Sequence, residues 1–422
     1  MGNIIYPAQV GTASFGNFRT NVISQVGSTP IVGAKVQIFN ENASTEETPV
    51  EELITDENGQ TIEVELEAPN IEYSLEPSAI RPYSEYTIVI TAKGYEPVYI
   101  SGSEILPSVT SLQNVAMNPV VQEETAETFV IGEHTLYGDY PPKIMESEVK
   151  DIEETGEIVL SRPVIPEYVV VHDGPPTDTT ANNYYVKYAD YIKNVASSEI
   201  YATWPESTIT ANVLAIMSFT LNRVYTEWYR NKGYNFTITS STAFDQKWIN
   251  GRNVFRNISE IVDNIFTNFL SRPGISQPIL TQYCDGQRVT CPEVMSQWGS
   301  KSLGDSGYSA IEILRYYYGD NIYINTATQV SGVPSSWPTY NLNIGASGNN
   351  VRIIQRQLNR IAQAYPKIPM VTVDGRYGEN TANAVRTFQR IFDLPQSGIV
   401  DFPTWYKISE IYVAVSKIAE YV

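Results

Sequence analysis

Two hydrophobic periods divide this 422-residue chain. Over residues 1–120, apolar and polar positions alternate. Gly33-Ala-Lys-Val36-Gln-Ile38-Phe39 and Tyr86-Thr-Ile88-Val-Ile90-Thr-Ala92 both read as half-buried strands. Asp56-Glu-Asn58-Gly59 offers residues that tolerate positive φ in a hairpin, and Met117-Asn-Pro119 closes the last strand. Residues 121–167 lose the period and are rich in Glu and Pro, so they read as an extended connector. Helical spacing then takes over. Tyr188, Ile192, Val195 and Ala196 recur every three or four residues and predict a helix ending at Glu199. Trp204-Pro205 opens a longer one, Glu206 to about Asn231, with Ile209, Val213, Ile216, Leu221 and Trp228 on one side; Pro205 suits a first position where no amide is needed. Near the C-terminus, Val351, Ile354 and Leu358 mark a helix opening at Asn349. A turn at Val373–Gly378, a second helix with Thr381 as its N-cap candidate, and a third led in by Trp405 complete the pattern. The expected fold class is multidomain α+β: an N-terminal all-β sandwich over 1–120, a linker over 121–167, a central mixed α/β domain over 168–335, and a C-terminal three-helix domain over 340–422.

Charge sharpens these boundaries. Residues 1–158 hold 26 of the 47 acidic residues and 6 of the 28 Lys and Arg, a local net of −20, whereas the remainder is close to neutral. Such asymmetry points to separable parts with different roles. With no clustered Lys or Arg to neutralise phosphates, nucleic acid is not expected as a partner. No apolar run reaches the roughly twenty residues that span a bilayer, so no membrane partner is expected. The start, Met-Gly-Asn-Ile-Ile-Tyr-Pro, lacks the basic and apolar regions of a classical signal peptide.

Glu199 is a carboxylate on a stripe of hydrophobes. Set against apolar and aromatic neighbours it loses solvation of its charged form, which raises its pKa and suits it to general-acid work near neutral pH. The alternative is an idle Glu at a frayed helix end. Three further blocks follow: Thr242-Ala-Phe-Asp245-Gln246-Lys-Trp248, Met295-Ser296-Gln297-Trp298-Gly299, and the Tyr-rich run ending Arg-Tyr-Tyr-Tyr318-Gly319.

In order and spacing, these blocks over about 184–325 resemble the SpoIID/LytB-type peptidoglycan lytic transglycosylases. Residues 340–422 resemble the peptidoglycan-binding type 1 domain, and residues 1–120 a carboxypeptidase-regulatory or transthyretin-like β-sandwich. The resemblance implies Glu199 as general acid and base, Asp245 as a second carboxylate or electrostatic stabiliser, and Trp204, Gln246, Ser296, Gln297 and Trp298 as sugar contacts. In the C-terminal module the expected ligand contacts are Arg376, Tyr377 and Gln389, read as exposed. Some members of the resembled family bind zinc through His and Cys. Here Cys291-Pro-Glu-Val replaces the usual His-Gly-Val-Gly, and the chain has two histidines, so neither metal nor cofactor is expected. Cys284 and Cys291 could form one bridge across a short loop.

The whole order resembles the SleC family of clostridial spore cortex-lytic enzymes. That resemblance implies a precursor located at the spore cortex and coat region, with cortex peptidoglycan as substrate and a subtilisin-like Csp germination protease as activating partner. Cleavage is expected near 150–162, removing an acidic pro-region. It further implies attack on the muramic acid–N-acetylglucosamine bond with a 1,6-anhydro product. A muramidase-type hydrolase using Glu199 and Asp245, or a non-catalytic wall-binding protein, are the alternatives.

Overall fold

The structure is a computed structural model that describes residues 14–41, 47–121, 125–134, 160 and 162–416. The cleavage expected near 150–162 lies almost wholly outside the described residues.

Eight strands build the N-terminal region: β1 (Ser14–Ser24), β2 (Lys35–Asn40), β3 (Glu51–Ile54), β4 (Val64–Ala68), β5 (Ser84–Thr91), β6 (Val98–Ile105), β7 (Thr110–Met117) and β8 (Glu127–Val130). A short helix, α1 (Glu72–Leu75), follows β4. One sheet runs β3-β2-β5-β6-β8, and in the other β1 lies between β4 and β7. Because side chains alternate along a strand, Val36, Ile38, Ile88, Ile90 and Ile100 of the first sheet point one way. They meet Phe18, Val22, Leu66 and Val115 of the second in a single apolar cluster. The connector expected over 121–167 is not wholly irregular: its Glu127–Val130 segment adds a parallel edge strand to β6.

In the central region, β9 (Tyr168–His172) lies between β10 (Asn183–Lys187) and β11 (Ile238–Thr239). Helices α2 (Tyr188–Glu199) and α3 (Glu206–Tyr225) follow β10. Pro205 is the N-cap of α3. That helix is buried on nearly every face from Thr208 to Arg223, as the central helix of a mixed core must be. It stops at Tyr225, short of the expected Asn231, and a 3-10 turn at Arg230–Lys232 takes up the remaining chain. After it come β12 (Val254–Phe255), α4 (Arg256–Ile265), β13 (Asn268–Ser271), β14 (Tyr283–Cys284), β15 (Met295–Ser296), α5 (Gln297–Asp305), α6 (Ala310–Tyr318) and β16 (Tyr323–Thr326).

The N-terminal and central regions are sewn together by the stretch 246–255. Strand β12 pairs with β7, completing the β4-β1-β7-β12 sheet. Asn253 exchanges two hydrogen bonds with the Glu104 backbone. The Glu104 carboxylate takes both Arg252 nitrogens, at 3.0 and 2.5 Å, and touches His134 Nδ1 at 3.0 Å. All three side chains are fully buried. Burial opposes charge on Glu104, but Arg252 and His134 outweigh it and hold its carboxyl below the ordinary value.

The C-terminal helices are α7 (Asn349–Ala362), α8 (Glu379–Ile391) and α9 (Phe402–Ser416). Gly378, not Thr381, is the N-cap of α8; the Thr381 hydroxyl instead accepts from Gln355 inside the module. Phe266 of the central region packs on Phe402 and Tyr406. Acids of the N-terminal region reach this module too: Lys367 pairs with Asp56 at 2.7 Å and Glu57 at 3.4 Å.

Removing one partner of a buried pair leaves the other charge uncompensated. Glu104→Ala is therefore expected to cost about 3–5 kcal/mol, read as a lower urea midpoint. An unchanged midpoint would contradict a structural seam at this pair.

Candidate active site

Glu199 is the last residue of α2, and the stripe that buries Tyr188, Ile192, Val195 and Ala196 carries it inward with them. Its exposure is 0 %. One carboxyl oxygen accepts the Lys247 backbone N–H at 2.8 Å, and the other accepts the Tyr283 hydroxyl. Gln297 Nε2 donates to the Glu199 backbone carbonyl at 3.1 Å and fixes the end of the helix. Burial pushes the Glu199 carboxyl up to about 8, against the hydrogen bonds from Tyr283 and Lys247 that favour its charged form. At neutral pH the group is an acid holding its proton.

Tyr283 is itself held. Gln246 Nε2 donates to the Tyr283 hydroxyl at 3.1 Å and to the Ile216 carbonyl at 3.2 Å. Gln246 Oε1 accepts from Tyr191 at 3.1 Å and from Thr220 at 2.8 Å. The side-chain amide therefore has both ends filled, and Gln246 supports Tyr283 from within the core. Three elements far apart in sequence converge here: α2, the 246–247 stretch and β14.

Next to β14, Cys284 and Cys291 form a disulfide with 5.7 Å between their Cα atoms. It closes a loop organised by Asp285, whose carboxylate accepts the backbone N–H groups of Gln287, Arg288 and Val289. Gly286 adopts φ +79°, and an added Cβ would collide with the Ser296 hydroxyl. Ser296 caps α5 by accepting the Gly299 N–H at 2.9 Å.

Trp204 and Trp298 pack with ring centres 5.0 Å apart, and Tyr201 meets each of them edge-on. Tyr201 and Trp298 of this cluster line a cavity of about 410 Å³, with Trp204 packed behind them. Tyr73, Ile80 and Pro82 of the N-terminal region form the opposite wall, while Tyr201, Arg288 and Trp298 face them. The Trp204 indole N–H is capped by the Ser74 carbonyl at 2.8 Å. Glu199 is not in the cavity wall; the chain reaches that wall two residues later, at Tyr201.

Of the residues singled out in the sequence, Glu199, Gln246, Gln297, Trp204 and Trp298 thus gather in one neighbourhood, with Ser296 at its edge. Gln246 and Gln297 are fully buried and already hydrogen-bonded to protein. Asp245 stands apart. Its carboxylate has no accessible surface and accepts from Arg223 at 2.8 Å, Tyr229 at 2.5 Å, and the Thr239 amide and hydroxyl at 3.0 and 2.7 Å. With four hydrogen bonds on it and no accessible surface, this carboxylate anchors α3 to the 238–245 loop and presents no oxygen to a sugar.

Two expectations for the C-terminal module need correcting. Tyr377 and Gln389 are not exposed: Tyr377 is 2 % accessible and Gln389 fully buried. Tyr377 donates to the Gly398 carbonyl at 2.9 Å. Gln389 accepts the Gly398 N–H at 2.8 Å and donates to the Ile399 carbonyl at 2.9 Å and the Thr404 hydroxyl at 3.0 Å. Gln355 grips the Gly375 N–H in the same way, at 2.8 Å. A polar side chain can sit in a core when its partners saturate it. Arg376 alone of the three faces solvent.

Among the described residues no cluster of three or more His, Cys, Asp or Glu is arranged to hold a metal, and no helix is long and apolar enough to cross a membrane. Residues 347–408 match the family described as "Putative peptidoglycan binding domain", which supports peptidoglycan as a partner of the C-terminal helices. Solved structures similar to parts of the chain include the SleB N-terminal domain, 28 % identical, covering 18 % of this chain and 99 % of that one with a TM-score of 0.16. The 5-hydroxyisourate hydrolase of Klebsiella pneumoniae is 12 % identical over 25 % of this chain and 92 % of its own, TM-score 0.16. The 3-chlorocatechol 1,2-dioxygenase of Rhodococcus opacus 1CP is 14 % identical over 26 % of this chain and 62 % of its own, TM-score 0.18. Comparison with curated proteins gives no match.

An unfolded chain releases the Glu199 proton near the ordinary value of 4.5, while the folded protein keeps it to about 8. The stability linked to this group is therefore full below about 4.5 and declines as pH rises towards 8. Glu199→Gln removes that decline. Its stability relative to the parent should grow across this window by at most about 1.4 kcal/mol per pH unit, measured by urea denaturation. Tyr283→Phe, which deletes a bond favouring the carboxylate, should move the upper edge of the window to higher pH. A constant Glu199→Gln difference throughout would contradict the buried, proton-retaining carboxyl.

Proposed function

We propose that this chain is the precursor of a spore cortex-lytic enzyme, located at the cortex and coat region, that degrades cortex peptidoglycan as a lytic transglycosylase. The observation that carries the reading is the Glu199 carboxyl, buried and held by Tyr283 and the Lys247 amide, where burial pushes its pKa up to about 8. The motif blocks around it supply the reaction class. Hydrolytic glycosidases generally use two carboxylates, one of them handling water or forming a covalent intermediate. Among the described residues, the polar groups acting on Glu199 are Tyr283 and Lys247, with no second carboxylate among them.

A transglycosylase needs only one such group. Glu199 donates its proton to the glycosidic oxygen as the bond to the muramic anomeric carbon breaks. The muramic C6 hydroxyl then attacks that carbon and returns its proton to the Glu199 carboxylate, closing a 1,6-anhydro ring without water. Tyr283 acts as a positioning residue, with Gln246 fixing Tyr283 and Gln297 fixing the helix end. Tyr201, Trp204 and Trp298 provide aromatic faces for sugar, and the C-terminal module keeps the enzyme on its polymer.

The N-terminal wall facing Tyr201 and Trp298 fits a stored, inactive form. In this reading a Csp-type subtilisin-like protease cuts near 150–162, the acidic region leaves, and the wall formed by Tyr73, Ile80 and Pro82 leaves with it. Proton transfer by a placed acid contributes about 10²–10⁴-fold. Processed Glu199→Gln should therefore lose cortex lysis by about that factor, and the parent should release muropeptides ending in anhydromuramic acid, read by mass spectrometry. Undiminished lysis by the variant, or reducing muramic ends from the parent, would overturn the proposal.

A further inference from the structure

We propose that the N-terminal region occupies the central domain's glycan surface as a chemical mimic of the glycan, and that Arg252, once uncovered, binds a carboxylate carried by a muramic residue. The inference rests on the precursor reading above and names a binding residue which that reading does not use.

Three recognition groups of the central domain are satisfied by atoms of the N-terminal region. The Arg252 guanidinium makes a two-pronged contact with the Glu104 carboxylate, at 3.0 and 2.5 Å, and its Nη2 also lies 3.2 Å from His134 Nδ1. The Trp204 indole N–H donates to the Ser74 carbonyl at 2.8 Å. The Tyr201 ring packs against the His134 ring at 4.8 Å. A carboxylate, a carbonyl oxygen and a flat ring, the last tilted at 44°, thus meet a planar cation, an indole donor and an aromatic ring. An N-acetylated muramic glycan offers the same three features: the lactyl or peptide carboxylate, the acetamido carbonyl and the pyranose face. A rigid guanidinium fork matches a planar carboxylate in a way that an ammonium point charge does not.

The location fits as well. The Lys247 amide grips Glu199, and Arg252 follows five residues later, within roughly 18 Å of extended chain at most. Downstream, the Asn257 side-chain amide donates to the Ala202 carbonyl at 2.7 Å, which ties the stretch back to the Tyr201–Trp204 cluster. Residues 246–256 carry Lys247, Arg252 and Arg256 and no acid. The N-terminal region supplies the counter-charges, Glu104 to Arg252 and Glu63 to Arg256. Arg256 also keeps Asp393 of the C-terminal module at 3.4 Å. Among the described residues, the polar partners of the Arg252 side chain, by contrast, all precede residue 135. Removing that region takes these partners away from the Arg252 fork, beside the cluster proposed to hold sugar.

The test uses the full chain carrying Glu199→Gln, so that no glycan is consumed, with a site-specific protease sequence inserted between 150 and 162. After nicking, the N-terminal fragment is displaced by soluble peptidoglycan glycan oligomers, either native or with their carboxyl groups converted to amides. Release is followed by size-exclusion chromatography. Native oligomers should release the fragment at about a tenfold or more lower concentration, the range expected for a charged hydrogen-bonded contact. The Glu104→Gln/Arg252→Gln pair keeps a neutral hydrogen-bonded contact at the seam and so preserves folding of the uncut chain; in it the two oligomers should perform alike. Equal potency in the parent, or a native preference surviving in the double variant, would overturn the assignment of Arg252. Because the displacement involves no bond cleavage, failure of the transglycosylase reading would appear in lysis and product analysis instead.

Discussion

The Glu199 carboxyl is surrounded so completely that ionising it would place a charge in a medium unable to solvate it. The two hydrogen bonds it receives soften that penalty without abolishing it, and its pKa settles at about 8. Much of the central region can be traced back to this constraint. Gln297 pins the helix end, Gln246 pins the tyrosine, and Tyr191 and Thr220 pin Gln246. Each link is a buried polar group hydrogen-bonded to the next, and the low dielectric around them strengthens those bonds.

The same stretch that touches the acid also forms the seam with the N-terminal region. Lys247 meets Glu199, Ile249 and Asn194 exchange two hydrogen bonds, Arg252 meets Glu104, and Val254–Phe255 joins the β7 edge. An event at the N-terminal sheet is therefore eight or fewer residues of chain away from the catalytic candidate. Acidic side chains of that region pair with bases of both other regions, Glu104 with Arg252, Glu63 with Arg256 and Asp56 with Lys367. The charge asymmetry along the chain thus has a local counterpart at these three pairs, where acids of the N-terminal region meet cations of the remaining chain.

How much of this the sequence disclosed depended on range. Helix α2 and the inward placement of Glu199 follow from spacing within twelve residues, and the period displayed them. The alternation in β2 and β5 was equally plain. Strand β8 is not legible in the sequence, because four residues of Glu-Thr-Phe-Val in an acid-rich stretch carry too little pattern. Tyr283 leaves no sign in the sequence, since its contact with Glu199 spans 84 positions and its neighbours have no period. Arg252 and Glu104, 148 positions apart, left no local trace at all. Tyr377 and Gln389 show the opposite failure. Polar character suggested exposure, whereas both are buried by partners that only the folded module brings together.

The most direct test of the account is the titration of Glu199 itself, by carbon-13 NMR of the intact protein with its glutamate side-chain carboxyl carbons labelled. One carboxyl should titrate near pH 8, well apart from exposed glutamates, and its signal should be missing from Glu199→Gln. If the resonance lost in that variant instead titrates with the ordinary glutamates near 4.5, the proton is not retained at neutral pH and the proposed acid has no basis.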